Sequence, residues 1–288
     1  MAFTPRRSVL YMPGANSRAL QKARSLDADV LILDLEDAVA PAQKLQARQQ
    51  VLEAIAEGGY GHRELVVRVN GFDTPWGRDD IAAFANAPIA ALCLPKVESA
   101  AEVRAVVQLL QQQQAPAQLR LWAMAETPRG VLSIDEIAGS DPRLAAIVLG
   151  TSDLAKDLRV PHTAERLGLL ASLGHCVLAA RAHGLDVLDG VHLDLDDQPG
   201  FERACAQGVE LGFDGKTLIH PKQIDAANAA FSPTAEQLAR AANIQQAWQQ
   251  AESEGKGVVL VDGRLVEALH VEEALRLLAI ADTLQQRS

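Results

Sequence analysis

At 288 residues the chain is long enough for one α/β barrel or two smaller domains, and its composition, 48% apolar and 4% aromatic, provides a sizeable core. Asp and Glu outnumber Lys and Arg by 37 to 27, a formal charge of −10; with no long basic tract, this argues against nucleic acid or membrane as a partner. The opening MAFTPRRSVLYMPG carries basic residues without an apolar stretch of signal-peptide length, and no later run reaches bilayer length, so a cytoplasmic protein is expected.

The first predicted strand is SVLYM from Ser8, which ends on Pro13-Gly14, followed by a helix over NSRALQKARSL with Asn16 as its N-cap. DVLILDL from Asp29 ends on Glu36-Asp37, and AQKLQARQQVLEAIAE has a helical pattern. ELVVRV from Glu64 carries Arg68 at its end with Asn70 just beyond, and ALCLP from Ala91 delivers Lys96. Ser99 then caps SAAEVRAVVQLLQQQQ, whose glutamines at 111–114 end it on the surface. RLWAMAE from Arg120 brings Glu126-Thr127, and AIVLG from Ala146 leads to Asp153. A helix over RLGLLASLGHCVLAARAHG separates these from DVLDGV, with Asp189 and His192, and DGKTLI, which runs to His220.

Eight short apolar runs alternating with amphipathic stretches, uninterrupted by a linker, predict a TIM (β/α)8 barrel over residues 1–232. A doubly wound open sheet competes, but no GxGxxG or GKS turn follows the first strand. After Pro233 the rhythm changes to a long helical stretch, then VVLVDGRL and a helix from about Val271, so 233–288 is expected to be a C-terminal helical extension. Cys93, Cys176 and Cys205, odd in number and far apart, fit buried reduced thiols better than disulfides or a zinc site.

In a parallel barrel the residues at the carboxyl ends of the strands face the active site. Glu126 and Asp153, from neighbouring strands and without Cys or His beside them, are hard oxygen donors that suit Mg2+ or Mn2+ rather than Zn2+. A lone acid at such a point more often caps the next helix; the pair tips the reading toward a metal. Arg68 offers a planar donor fork for a carboxylate or enolate, or else an ion pair with Glu36 or Asp37 that holds the rim. Glu36 and Asp37 are read as orienting groups around the metal rather than direct ligands. Lys96, Arg18 and Lys22 could meet phosphates, although each alone reads better as a solvated surface residue. His192 and His220 are acid–base candidates set against structural histidines, and Trp76 either shapes a substrate loop or packs there.

The blocks RRSVLYMPG, DADVLILDLEDAVAPAQK, VVRVN, LPKVES, MAETPRG, GTSDL and FDGKTLIHPKQI resemble the CitE-like branch of the HpcH/HpaI aldolases, over about Arg6 to Ile224. That branch includes the citrate lyase β subunit, malyl-CoA lyase and citramalyl-CoA lyase. The resemblance implies a TIM barrel with Mg2+ held by Glu126 and Asp153, Arg68 facing the keto-acid half of the substrate, and CoA as part of that substrate; Glu36, Asp37 and Lys96, at neighbouring strand ends, are expected beside Arg68 in the substrate site. With CoA as the handle, Arg18 and Lys22 in the first helix are the residues expected at its phosphates. The resemblance also implies a homotrimer in which each C-terminal extension covers a neighbour's site. Where such lyases carry an acidic motif like MID or MVD, this chain reads Leu265-Val266-Glu267, so Glu267 takes the place of the Asp that handles a proton of the acetyl-CoA methyl group or a water. The expected activity is Mg2+-dependent cleavage of a 3-hydroxyacyl-CoA, citramalyl-CoA to acetyl-CoA and pyruvate in the first place. The alternatives are a citrate lyase β subunit working with an acyl carrier protein, a malyl-CoA lyase, a malyl-CoA thioesterase, and a non-catalytic CoA-binding homologue.

Overall fold

The computed structural model describes residues 4–253, 255 and 257–287. They form two compact units, one running from Arg6 to Ala230 and the other containing the chain from Phe231 onward with Thr4 and Pro5.

The first unit is a closed barrel of eight parallel strands in chain order. The strands are β1 (Ser8–Pro13), β2 (Val30–Asp34), β3 (Glu64–Arg68), β4 (Ala91–Leu94), β5 (Arg120–Ala125), β6 (Leu144–Leu149), β7 (Asp186–Asp189) and β8 (Gly215–Leu218). Around them lie α1 (Ser17–Ala23), α2 (Lys44–Glu57), α3 (Gly77–Phe84), α4 (Ala100–Gln112), α5 (Pro128–Leu132), α6 (Ile134–Ala138), α7 (Thr151–Leu158), α8 (Leu170–Ala182), α9 (Gln198–Leu211) and α10 (Ile224–Ala230). The β/α barrel expected from the eight apolar runs is therefore present.

Strand residues alternate between faces, so every second side chain of a barrel strand points to the axis. Val9 and Tyr11, Val30 and Ile32, Val66, Cys93, Trp122 and Met124, Val148 and Leu188 pack together there. At the amino-terminal end this core is closed by Arg6, whose guanidinium lies 5.0 Å from the Trp122 ring and pairs with Glu64 at 2.7 Å and with Asp186. Extending the same alternation by two residues puts Asp34, Arg68 and Glu126 on the axis at the other end.

The helices cover the outer face with apolar stripes. In α4 the buried residues Val103, Val106, Val107 and Leu110 recur at helical spacing, each contributing about 2 kcal/mol by burial. The predicted caps are in place: Asn16 Oδ1 accepts from Ala19 N at 3.1 Å, and Ser99 Oγ from Glu102 N at 3.3 Å. Cys93, Cys176 and Cys205 are buried free thiols.

The second unit is a pair of helices, α11 (Ala235–Ser253) and α12 (Ala268–Gln285), with a hairpin of β9 (Val259–Val261) and β10 (Arg264–Val266) between them. Its core is Ala241, Ile244, Val261, Val266, Val271 and Ala274. Asp262 and Gly263, both at positive φ (49° and 73°), make the two-residue turn whose twist matches the paired strands. The last helix starts at Ala268, three residues before the expected Val271, because Ala268 and Leu269 precede the buried stripe that begins at Val271. Among the described residues no helix is long and apolar enough to cross a membrane.

Candidate active site

Asp34 ends β2 and Arg68 ends β3, and the two stand opposite each other in the strand register. Arg68 donates from Nε to Asp34 Oδ1 and from Nη2 to Asp34 Oδ2, both at 2.6 Å, a bidentate pair with both side chains almost wholly buried. Its Nη1 lies 3.1 Å from Glu36 and 3.6 Å from Asp37, and its guanidinium lies 4.8 Å from the half-buried Tyr11 ring. The expected ion pair with Glu36 or Asp37 exists, but it is secondary. The dominant partner is Asp34, inside the apolar run, and it takes the Nε–Nη2 edge of the fork expected to be free for substrate.

Lys96 joins the rest. Its backbone takes the left-handed conformation at φ 49°, costing a non-glycine residue about 1 kcal/mol. In that geometry its N–H donates to Glu126 Oε1 at 2.8 Å, while Nζ donates to Glu36 at 2.6 Å and lies 3.3 Å from Asp153 and 3.7 Å from Asp37. One residue thus bridges both proposed metal carboxylates, one through its backbone and the other through its ammonium. Burial opposes the charge, but the neighbouring carboxylates Glu36 and Glu126 hold Lys96 protonated above the usual lysine range.

The MAETPRG and GTSDL blocks acquire physical reasons. Thr127 Oγ1 accepts from Gly130 N at 3.0 Å and caps α5, with Pro128 at the first helical position; a Cβ on Gly130 would fall 2.4 Å from the Val97 carbonyl oxygen. A Cβ on Gly150 would sit 2.3 Å from Glu126 Cβ and 2.4 Å from Glu126 Oε2. Gly150 therefore leaves the space in which the Glu126 carboxyl lies. Asp153 stands in the first turn of α7, where the helix N-terminus favours a carboxylate, with its side chain one-third exposed.

Glu126 is 2% exposed, and burial pushes its carboxyl up to about 7 against the pull of Lys96 and Arg68. Between the ordinary 4.5 and about 7 the folded chain holds a proton that the unfolded chain releases. Stability from this group therefore falls as pH rises through that window, by on the order of 3 kcal/mol. In EDTA, Glu126→Gln should melt with wild type near pH 4.5 and several degrees above it at pH 7.5. Superimposable melting curves at both pH values would show that Glu126 ionises freely. Burial likewise raises Glu36, against Arg68 and Lys96. For Asp37, burial is outweighed by its hydrogen bond with Glu36 and by the Arg68 and Lys96 charges, which lower it.

A cavity of about 540 Å3 opens beside Glu36 and Lys96, between the loop of Asn70 to Thr74 and the turn of Leu94 to Glu98. Lys44 ties the β2–α2 loop down by donating to the carbonyls of Leu35 (2.8 Å) and Glu36 (2.7 Å), and Trp76 packs under its ammonium at 5.6 Å.

Of the remaining barrel candidates, Asn70 lines this cavity and the others take up other contacts. Asn70 donates to Asp80 at 2.6 Å, and Asp80 also takes Arg48 at 2.6 Å. Asp189 is wholly buried between Lys216 and Arg166, both at 2.7 Å, whose charges outweigh burial and lower its pKa. His192 stands edge-on to Phe201 and is lowered by burial and by the Lys216 charge; His220 caps a short turn, accepting from Lys222 N at 3.1 Å. Arg18 and Lys22 lie exposed on α1. Glu267 is exposed at the start of α12, its backbone N–H donating to His270 Nδ1 at 3.0 Å.

The fold and the ordered set Arg68, Lys96, Glu126 and Asp153 can be set beside known proteins. A profile of the HpcH/HpaI aldolase/citrate lyase family matches residues 7–221. The chain belongs to this family. A (3S)-malyl-CoA thioesterase of Cereibacter sphaeroides is 49% identical over 280 residues, 97% of this chain and 96% of the relative. The citrate lyase subunit beta of Leuconostoc mesenteroides is 35% identical over 282 residues, 96% of this chain and 93% of that subunit. Among solved structures, protein CitE from Mycobacterium tuberculosis, in complex with magnesium, acetoacetate and coenzyme A, is 31% identical with a TM-score of 0.77, covering 98% of this chain and all of that one. As a member of this HpcH/HpaI aldolase/citrate lyase family the chain is an enzyme.

The donor set fits a hard divalent cation. Among the described residues no group of three or more His, Cys, Asp and Glu side chains is arranged to hold a metal. Two carboxylates are nevertheless what Mg2+ accepts from a protein when water and substrate oxygens complete its octahedron.

Proposed function

We propose that this chain is a Mg2+-dependent enzyme acting on a short 3-hydroxyacyl-CoA thioester that bears a carboxylate beside its hydroxyl, with Mn2+ able to replace Mg2+. The observation that carries this reading is the convergence of Glu126 and Asp153 on Lys96, next to a guanidinium already fixed by Asp34. A divalent ion held by Glu126 and Asp153 would bind the hydroxyl and carboxylate oxygens of the substrate and lower the cost of charge on the hydroxyl oxygen.

Arg68, through Nη1, and Lys96 stand on the side of that carboxylate, and the adjoining cavity gives room for the acyl chain. In the carbon–carbon cleavage, the hydroxyl loses its proton and its oxygen becomes the ketone of the 2-oxo acid. The electron pair of the broken bond passes to the thioester α-carbon as an enolate, which takes up a proton to give acetyl-CoA. Glu267, supplied by the extension of a neighbouring subunit in a homotrimer, is assigned to that proton, and Arg18 and Lys22 to the CoA phosphates. Citramalyl-CoA, giving acetyl-CoA and pyruvate, is the first substrate to try; a citrate lyase complex would present the same acyl chemistry on an acyl carrier protein.

A second reading is hydrolysis of malyl-CoA to malate and CoA, favoured by the 49% identity to a (3S)-malyl-CoA thioesterase. Product analysis separates the two. With Mg2+ present, purified protein is offered citramalyl-CoA, (3S)-malyl-CoA and citryl-CoA, and acetyl-CoA, 2-oxo acid and free CoA are followed together. Acetyl-CoA formed in equal amount with pyruvate or glyoxylate supports cleavage, free CoA with the intact hydroxy acid supports hydrolysis, and no product from any thioester contradicts both.

A further inference from the structure

Asp34, the last residue of β2, meets no substrate atom in the reading above, yet its carboxylate organises the mouth of the barrel. Oδ1 accepts from Arg68 Nε at 2.6 Å and from Glu36 N at 2.9 Å, and Oδ2 from Arg68 Nη2 at 2.6 Å and Ala38 N at 3.2 Å. A single side chain, 1% exposed, therefore ties β3 to the loop carrying Glu36 and Asp37. The Tyr11 ring supports the guanidinium from another side, its hydroxyl directed at Met124 Sδ at 3.9 Å. Removing the Asp34 anchor would leave Glu36 and Asp37, already 3.1 and 3.6 Å from Nη1, as the nearest carboxylates for Arg68 to fork onto. Nη1, which Glu36 already holds in part, would then be wholly taken from a ligand.

We infer that Asp34 is a positioning residue: it holds Arg68 and Glu36 in one fixed arrangement and presents Arg68 to the acid half of the substrate by its Nη1 end alone. The consequence for the substrate rests on the function proposed above; the positioning of Arg68 does not. A bound arginine Nε–H in a buried bidentate pair exchanges slowly with water, whereas a solvated one exchanges fast.

The test uses the full chain as wild type, Asp34→Asn and Asp34→Ala, with Arg68→Lys to assign the Arg68 Nε–H signal. In ligand-free wild type that signal should be protected from exchange; a freely exchanging Nε–H overturns the inference, whatever happens to the variants. Asn keeps an acceptor for Nε but turns an N–H toward Nη2, so the Asp34→Asn signal should shift and lose protection while the fold survives. Calorimetry with pyruvate and Mg2+ should show about 10-fold weaker binding in Asp34→Asn, the scale of one charge-assisted hydrogen bond, with CoA affinity unchanged. Equal loss of pyruvate and CoA affinity, tracking the melting temperature, would reduce Asp34 to a stabilising residue and overturn the positioning role. Wild type binding neither probe would remove the proposed function instead. The Nε–H signal would still decide for Asp34 if its protection vanished in Asp34→Asn, and against it if protection persisted.

Discussion

Alanine at Glu126 or at Asp153 should lower turnover of the competent thioester by about 10³-fold or more at saturating Mg2+, and EDTA should reproduce that loss in wild type. The size follows from what an ion at this place would do: stabilise charge developing on one substrate oxygen, where several kcal/mol are at stake. Neither change removes a structural anchor of the barrel. Glu126 accepts one backbone N–H from Lys96, and Asp153 is one of three carboxylates around Nζ, so the folded state should survive both. Turnover measured with the melting temperature on the same samples separates lost chemistry from lost protein. Wild-type rates in either variant would remove that carboxylate from the metal assignment.

Arg68 carries the second large effect, on stability and ligand binding together. Arg68→Ala leaves Asp34 buried with its two closest partners gone, and breaking a buried pair of this kind costs about 3–5 kcal/mol. Arg68→Lys should recover part of that stability, since an ammonium can meet one Asp34 oxygen. It should not recover affinity for a 2-oxo acid, because a point charge drawn to Asp34 leaves no donor where Nη1 stood. Denaturant unfolding of both variants, beside pyruvate titration with Mg2+, reads the two effects separately. Full pyruvate affinity in Arg68→Lys would show that charge alone, without the fork, serves the site.

Strand ends were the informative places in the sequence, and the reason is geometric. A barrel brings the carboxyl ends of its strands to one face, so the polar residues where apolar runs stop are expected to meet; Arg68, Lys96, Glu126 and Asp153 do. Asp34 was missed because it sits inside DVLILDL, where an acid reads as an interruption of the strand. Its parity was legible all the same: two residues after Ile32, on the same face, it had to point at the axis. The left-handed turn at Lys96, which aims the backbone N–H at Glu126, has no marker in the residue type, since lysine gives no sign of positive φ as glycine does. Lys216 was likewise unreadable: a lysine within GKTL looks like an edge, and only the facing Asp189 carboxylate and the Gly190 carbonyl make its burial tolerable. Asp262-Gly263 was a readable hairpin signal in VVLVDGRL.

A crystal of the chain soaked with Mn2+ and pyruvate, with data collected at the manganese absorption edge, puts the whole account at risk in one map. One anomalous peak per chain, within about 2.2 Å of carboxyl oxygens from both Glu126 and Asp153, with the pyruvate carboxylate reaching toward Arg68 Nη1, is the predicted result. An ion bound elsewhere, or at this mouth without either carboxylate, would contradict it.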